Sequence, residues 1–166
     1  DIASQKKEER ISTKSYNVSL LEKEFMYGET IKISHKIWLY LPLNYAYSSK
    51  KFPVIYMHDG QNLFDDATSY IGEWNIDETL NELFKKNGKC FIIVGIKNTE
   101  KQRINEYTPF KNEKYGGGKG NLYIDFLINE VKPYIDENYR TKTNAKNTAI
   151  IGSSLGGLIS FYGGLK

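Results

Sequence analysis

Two neighbouring stretches near the start of the chain alternate apolar and polar residues: "YNVSLLEKEF" (16–25) and "IKISHKIWLYLP" (31–42), separated by "YGET". In the second, Ile31, Ile33, Ile37 and Leu39 recur at strand spacing, which predicts an antiparallel hairpin ended by Pro42. A polar loop, "LNYAYSSKK", leads to "FPVIYMH", a short continuous apolar run of the kind buried on both faces of a sheet. After "HDGQNLFDDATSYIGEW" the period changes. Ile76, Leu80, Leu83 and Phe84 now share one helical face, Asn75 with Glu78 resembles a capping box, and Gly88 closes the helix. "CFIIVGI" reads as another buried strand, and "KNTEKQRINEYTPFKNEKYGGGKG" as a long polar loop. The next helix carries Tyr123, Leu127, Val131, Tyr134 and Ile135 on one face. Pro133 should kink or restart it, because proline lacks a backbone donor. "NTAIIG" is the third buried strand, and a last helix begins at "GSSLGG".

The order, a hairpin followed by β-α-β-α-β-α, predicts an α/β fold with a mostly parallel sheet, an N-terminal antiparallel hairpin and helices on both faces. The 166 residues amount to one domain, with no internal repeat. Residues 1–14 open "DIASQKKEER" and predict a disordered polar tail, which leaves 15–166 for the folded domain. The net charge of +3 is mild, and lysines interspersed with acids make no basic stripe for nucleic acid. No apolar stretch approaches the ~20 residues that span a bilayer, so no membrane partner is expected. No signal peptide is visible, yet the chain opens without methionine. A removed leader would fit a periplasmic or secreted protein, and a cytoplasmic one stays open. The single cysteine, Cys90, excludes an intramolecular disulfide and reads as a buried small hydrophobe.

Candidate chemistry sits at the strand-to-helix junction. Gly152-Ser153-Ser154-Leu155-Gly156 matches G-x-S-x-G directly between a strand and a helix, the context a nucleophile elbow requires. The fit makes Ser154 the nucleophile and puts the N–H of Leu155 at a helix N-terminus, where it can donate to an oxyanion. A glycine-rich turn with an incidental serine would match the motif equally well. A second feature in the right order weighs against that: "VIYMHDGQNLF" ends a buried strand in His58-Asp59-Gly60-Gln61, and the N–H of Gln61 or Gly60 could supply the second oxyanion donor. Tyr107, Phe64 and Trp74 could give aromatic walls to a substrate cleft, although Trp74, just before a helix, also suits a core. Arg103 and Glu106 in "RINEYTP" read either as a loop-bracing ion pair or as cleft wall, and Glu130 and Arg140 as structural ion-pair partners.

Other features carry less. "YGGGKGN" lacks the spacing of a phosphate loop and reads as a flexible loop. Asp59, Asp65, Asp66, Glu73, Asp77 and Glu78 form an acidic patch without EF-hand spacing, so a solvated loop and helix cap are expected and no metal.

The stretches "KFPVIYMHDGQNLFD", "GEWNIDETL", "IIVGIKN", "RINEYTP", "FLINEVKPYIDENYRT" and "TAIIGSSLGGLISFY" together resemble the esterase family of the α/β-hydrolases. That family includes enterochelin esterase-like, feruloyl and acetyl-xylan esterase-like, and S-formylglutathione hydrolase-like enzymes of the esterase D type. The resemblance runs from about Trp38 to the last residue. It implies an α/β-hydrolase fold and a serine carboxyl-ester hydrolase that acts through an acyl-enzyme on a small-molecule or carbohydrate ester, with no cofactor.

The family's triad runs serine, acid, histidine. "LGGLISFYGGLK" after Ser154 has no Asp, Glu or His. His35, in the hairpin, is expected to be exposed or edge-facing, and His58 to shape the oxyanion loop without acting as base. The acid and histidine are therefore expected beyond Lys166, in more chain or a complementing C-terminal segment, and 15–166 as an incomplete α/β-hydrolase domain. A central strand left as a bare apolar edge points the same way. Two alternatives remain on the same residues: a non-catalytic binding protein, and an acyltransferase that uses Ser154.

Overall fold

The computed structural model describes residues 10–28 and 32–166. The expected hairpin forms, but not as one ladder. β1 (Val18–Leu20) and β2 (Phe25–Tyr27) pair antiparallel with β4 (Ile37–Tyr40) and β3 (Ile33–His35), respectively. Leu20 faces Trp38 and Phe25 faces His35, so residues 21–24 lie opposite only 36–37 and the first strand bulges outward. Ile31 and the end of the "YGET" turn lie outside the described residues.

The β-α-β order follows. β5 (Val54–His58) leads to α1 (Ile76–Asn87), then β6 (Ile92–Ile96), a short α2 (Arg103–Tyr107), and a small hairpin of β7 (Lys111–Asn112) and β8 (Gly116–Gly117). α3 (Gly120–Phe126) and α4 (Lys132–Asn138) are joined through one π-helical turn, Leu127–Val131. β9 (Thr148–Ile151) and α5 (Leu155–Gly164) complete the chain. The main sheet runs β1-β4-β6-β5-β9. β4 is antiparallel to both neighbours, whereas β5 is parallel to β6 and β9, giving the α/β architecture the sequence pattern predicts.

Continuous apolar strands bury both faces, as expected for β5 and β6. Val54 and Tyr56 of β5 join Ile92, Val94 and Ile96 of β6 under α3, α4 and α5. Met57 and Ile93 turn the other way, with Tyr40, Leu63 and Phe64, toward Ile76 and Leu80 of α1. Each fully buried Ile or Val here stabilises the fold by about 1.5–3 kcal/mol relative to exposure.

Several elements differ from expectation for identifiable reasons. Asn75 has a left-handed backbone (φ 52°) and makes no side-chain cap bond, so there is no capping box, although Gly88 does close α1 by bonding its N–H to Phe84 O. The π turn before Pro133 absorbs the missing donor within one continuous helix. The polar loop after β6 holds α2 and a hairpin, too short for periodicity to reveal. Gly117, Gly118 and Gly120 in the glycine-rich stretch donate to Asn105 and Thr108, so it is a bonded turn. β9 has alternating partial exposure instead of full burial, since among the described residues β5 alone flanks it. Residues 1–9 of the expected tail lie outside the described residues. From Arg10 onward the segment is tied down: Ser12 Oγ and Thr13 N–H both bond Asp65, and Ser15 N–H bonds Asp77.

Candidate active site

The turn between β9 and α5 is built by contacts that only small residues allow. A Cβ on Gly152 would lie 2.5 Å from the backbone C and O of Gly156, so strand and helix cross closer than any side chain permits. The turn forces Ser154 to φ 55°, ψ −124°, a left-handed conformation that glycine ordinarily fills. Ser154 is exposed, and its carbonyl accepts from Gly157 and Leu158 N–H at 3.0 and 3.1 Å, starting α5. Among the described residues no acceptor engages the N–H of Leu155, which lies in the positive first turn of the helix.

The β5 turn meets this helix. The space at Gly156 is bounded by His58 Cβ at 3.4 Å and Asp59 Oδ2 at 3.5 Å from a built Cβ. Gly60 in turn lies on the β6 backbone, where a Cβ would meet Gly95 C and O at 2.5 Å. The structure thus brings Ser154, Leu155, Gly60 and Gln61 to one end of the sheet, at the C-terminal ends of β5 and β9. The N–H of Gln61 likewise has no acceptor among the described residues. Its side-chain Oε1 accepts from Asn98 N–H at 3.2 Å.

Asp59 holds the turn from behind. Arg103 donates from Nε and Nη2 to the two carboxylate oxygens, both at 2.9 Å, and Asn98 Nδ2 adds a bond at 2.6 Å. Asp59 N–H donates to the Tyr107 hydroxyl. Burial alone would raise the Asp59 carboxyl, but the bonds from Arg103 and Asn98 outweigh it and hold the group below the ordinary carboxylate value. Pairing with Asp59 raises Arg103 correspondingly.

Both histidines are enclosed. His35 is buried, not exposed: its Nε2 meets Glu106 Oε1 at 2.7 Å and its Nδ1 lies 2.8 Å from Lys97 O. Tyr27 and Thr99 hydroxyls also donate to Glu106. The expected Arg103–Glu106 pair is therefore two separate pairs, Arg103–Asp59 and Glu106–His35. His58 Nδ1 lies 2.9 Å from the Tyr123 hydroxyl, while Nε2 is buried without a partner among the described residues. Burial pushes the His58 imidazole down to about 4, so it is neutral near pH 7.

Of the aromatic candidates, Phe64 is 1 % and Tyr107 0 % exposed, so neither presents a surface to a substrate. Phe64 fills the α1 core and Tyr107 braces Asp59. Trp74 alone of the three keeps exposed area, 38 %, and its backbone N–H donates to Asn62 O beside the Gln61 turn. Arg140 stacks on Tyr45 and bonds its carbonyl, so neither it nor Glu130 forms an ion pair among the described residues. The role of Asp59 and Asn98 was missed. Asp59 was grouped with the solvated acidic patch, and no local pattern links it to Asn98, 39 positions on.

An α/β sheet carrying a strand-to-helix serine turn beside the β5 loop is the architecture of α/β-hydrolase esterases, and the comparisons agree. The Esterase family model, described as "Putative esterase", matches residues 28–166. The chain belongs to the Esterase family. It is 31% identical over 139 residues to YbbA of Bacillus subtilis, covering 80% of this chain and 52% of YbbA. Among solved structures it is similar to an IroE-like serine hydrolase from Shewanella oneidensis, with a TM-score of 0.67, 26% identity, and coverage of 87% of this chain and 45% of that one. A ferulic acid esterase from Anaeromyces mucronatus matches at TM-score 0.55 and 27% identity, over 96% of this chain and 56% of that one. The siderophore hydrolase EstA of Aspergillus nidulans shares the fold at TM-score 0.68 and 19% identity, over 88% of this chain and 52% of its own. The chain thus spans about half the length of the curated relatives it matches.

Proposed function

We infer that Ser154 is the nucleophile of a carboxyl-ester hydrolase. The observation that carries this reading is the backbone of Ser154, φ 55° and ψ −124°, on an exposed turn between β9 and α5. Such strain persists where the surrounding structure over-determines it, and here it lifts the hydroxyl clear of the sheet as a nucleophile elbow does. Ser154 Oγ attacks the ester carbonyl. The N–H groups of Leu155 and Gln61 receive the oxyanion, whose collapse breaks the bond to the alcohol, which leaves with the proton given up by Ser154, and water then hydrolyses the acyl-enzyme to the free acid and Ser154. Neither histidine serves as base: His35 is held by Glu106, and His58 is walled in by Tyr107 and Tyr123 with its imidazole near 4. On this reading the acid and base come from the part of the relatives' length that this chain does not cover. The similar structures include a siderophore hydrolase and a ferulic acid esterase, which supports an ester of a small molecule or a carbohydrate as the substrate. Of the three aromatic candidates, Trp74 is the one that keeps exposed surface to offer it.

The enclosure of both histidines favours one second reading, a binding protein that keeps the turn without turnover. A fluorophosphonate probe followed by intact mass separates the two on the longest natural form of the chain. One adduct, mapped to Ser154 and absent from Ser154→Ala, supports the hydrolase. No adduct on a folded protein refutes it.

A further inference from the structure

Away from Ser154, the start of α1 gathers carboxylates that the esterase reading does not use. Glu73, Asp77 and Glu78 each bring one oxygen to within 4.8 Å of the others. Two of the three are held from one side. The Thr13 hydroxyl donates to Glu73 Oε1, and Ser15 N–H donates to Asp77 Oδ2 at 2.6 Å. The remaining oxygens, Glu73 Oε2 and Asp77 Oδ1, are out of water with no hydrogen-bond partner among the described residues, as is Glu78 Oε2. Asp77 decides the matter. It is 0 % exposed, so solvent cannot satisfy its second oxygen.

Ordinary explanations cover part of this. A helix N-terminus favours acids in its first turn, which suits Asp77 and Glu78. It supplies no donor for three orphaned oxygens and does not account for Glu73, which precedes the helix. Arg10 reaches the same loop, but its guanidinium donates to the carbonyls of Asp66 and Ser69. No Lys or Arg among the described residues forms an ion pair with any of the three acids.

We propose that Glu73, Asp77 and Glu78 bind a Ca²⁺ ion. The donors are all hard carboxylate oxygens without nitrogen or sulfur, the chemistry of calcium and not of zinc. Calcium tolerates an irregular shell completed by water, whereas magnesium demands near-octahedral geometry. Thr13 and Ser15 hydrogen-bond Glu73 and Asp77 and so fix the orientation of the ligand oxygens. The linear spacing is not an EF-hand, because the fold assembles the site from the β5–α1 loop and the helix start. A bound ion joins three segments: residues 13–15, the loop, and α1. Trp74 and Ile76 N–H bond to Asn62 and Leu63 O, so the site backs directly onto the Gln61 turn. The proposal does not depend on Ser154 being a nucleophile.

The test is calorimetric titration of the purified chain with Ca²⁺, and luminescence of Tb³⁺, a calcium stand-in that Trp74 beside Glu73 would sensitise. One saturable site is expected, with Ca²⁺ displacing Tb³⁺ and raising the melting temperature by mass action. Glu73→Gln and Glu78→Gln should each weaken binding at least about tenfold, since affinity follows ligand charge. Should those variants fail to fold, Trp74→Phe decides, because it leaves the ligands intact and should lose the Tb³⁺ signal while keeping Ca²⁺ binding. Absence of a Ca²⁺ isotherm on wild-type protein overturns the proposal. So does Ca²⁺ binding that survives both carboxylate substitutions. A Glu78→Gln chain more stable than wild type, on a protein indifferent to Ca²⁺, would mean that a shared proton relieves the cluster, and overturns it too.

Discussion

Replacing Ser154 by glycine should make the protein more stable while removing its candidate nucleophile. At φ 55°, ψ −124° the residue occupies the first central position of a type II′ turn, where glycine dominates because a Cβ crowds the backbone. Holding a non-glycine residue there costs about 1–3 kcal/mol. Glycine removes that strain but loosens the unfolded chain, which costs about 0.4–1 kcal/mol. The difference leaves a net gain of roughly 1 kcal/mol, or about 2–4 °C in melting temperature for a chain this size. Ser154→Ala is the control. It removes the exposed hydroxyl but keeps the Cβ and hence the strain, so it should match wild type within about 0.5 kcal/mol. Thermal and urea unfolding of the three proteins, read at the same pH, gives the comparison. If Ser154→Gly is no more stable than Ser154→Ala, the backbone at this turn is not strained, and the main support for the nucleophile reading goes with it.

Two further outcomes follow from the site. Arg103→Ala leaves Asp59 buried with only Asn98 as side-chain donor; because Arg103 is itself 28 % exposed, the loss should be about 1–3 kcal/mol, below that of a fully buried pair. Arg103→Lys should not restore it, since lysine cannot present the two-pronged bond, and equal urea midpoints for wild type and Arg103→Lys would refute the clamp. For His58 the folded value of about 4 lies below the ordinary 6.5 because of burial, so the unfolded chain binds more protons between those limits. Its contribution is complete above pH 6.5 and is lost as pH falls toward 4; wild type should lose stability relative to His58→Gln across that window, by a few kcal/mol in order of magnitude, whereas parallel pH profiles of the urea midpoint would contradict the burial argument.

The legible parts of this chain were the local ones. Ser154 could be singled out as a candidate because G-x-S-x-G is written in five consecutive residues, and β5 and β6 could be placed because unbroken apolar runs suit strands covered on both faces. His35 was misjudged because "KISHKIW" alternates like an edge strand with polar residues outward. The partner that buries it, Glu106, lies 71 positions away on a five-residue helix that periodicity cannot detect. Tyr107 and Phe64 failed as cleft walls for a related reason: an aromatic residue's side of the sheet depends on the register of neighbouring strands, which composition does not carry. The carboxylates at the start of α1 were visible as a patch, but not that Thr13, from the expected tail, and Ser15 just after it would hold Glu73 and Asp77.

These long-range contacts converge on α2, and their division of labour bears on the proposed chemistry. Its residues Arg103, Glu106 and Tyr107 sit at helical spacing, and each takes a different partner. Arg103 grips the Asp59 carboxylate, Tyr107 accepts the Asp59 N–H, and Glu106 closes on His35 and Tyr27 of the hairpin. One short helix therefore fixes the turn at the end of β5 against the antiparallel edge of the molecule. An oxyanion donor is effective only if it is already aimed before charge develops, because reorganising it during the reaction would cost what it gains. If Gln61 N–H is such a donor, its aim is set by its neighbours: Asp59 is held through both carboxylate oxygens and its own N–H, Gly60 lies on the β6 backbone, and the Gln61 side chain is tied to Asn98. None of these restraints requires a substrate, so the turn should keep its shape in the free protein. The cost of that rigidity is placed in buried polar groups behind the site, which explains why "RINEY", polar enough to pass for solvent-facing loop, contains two residues with no exposed surface at all.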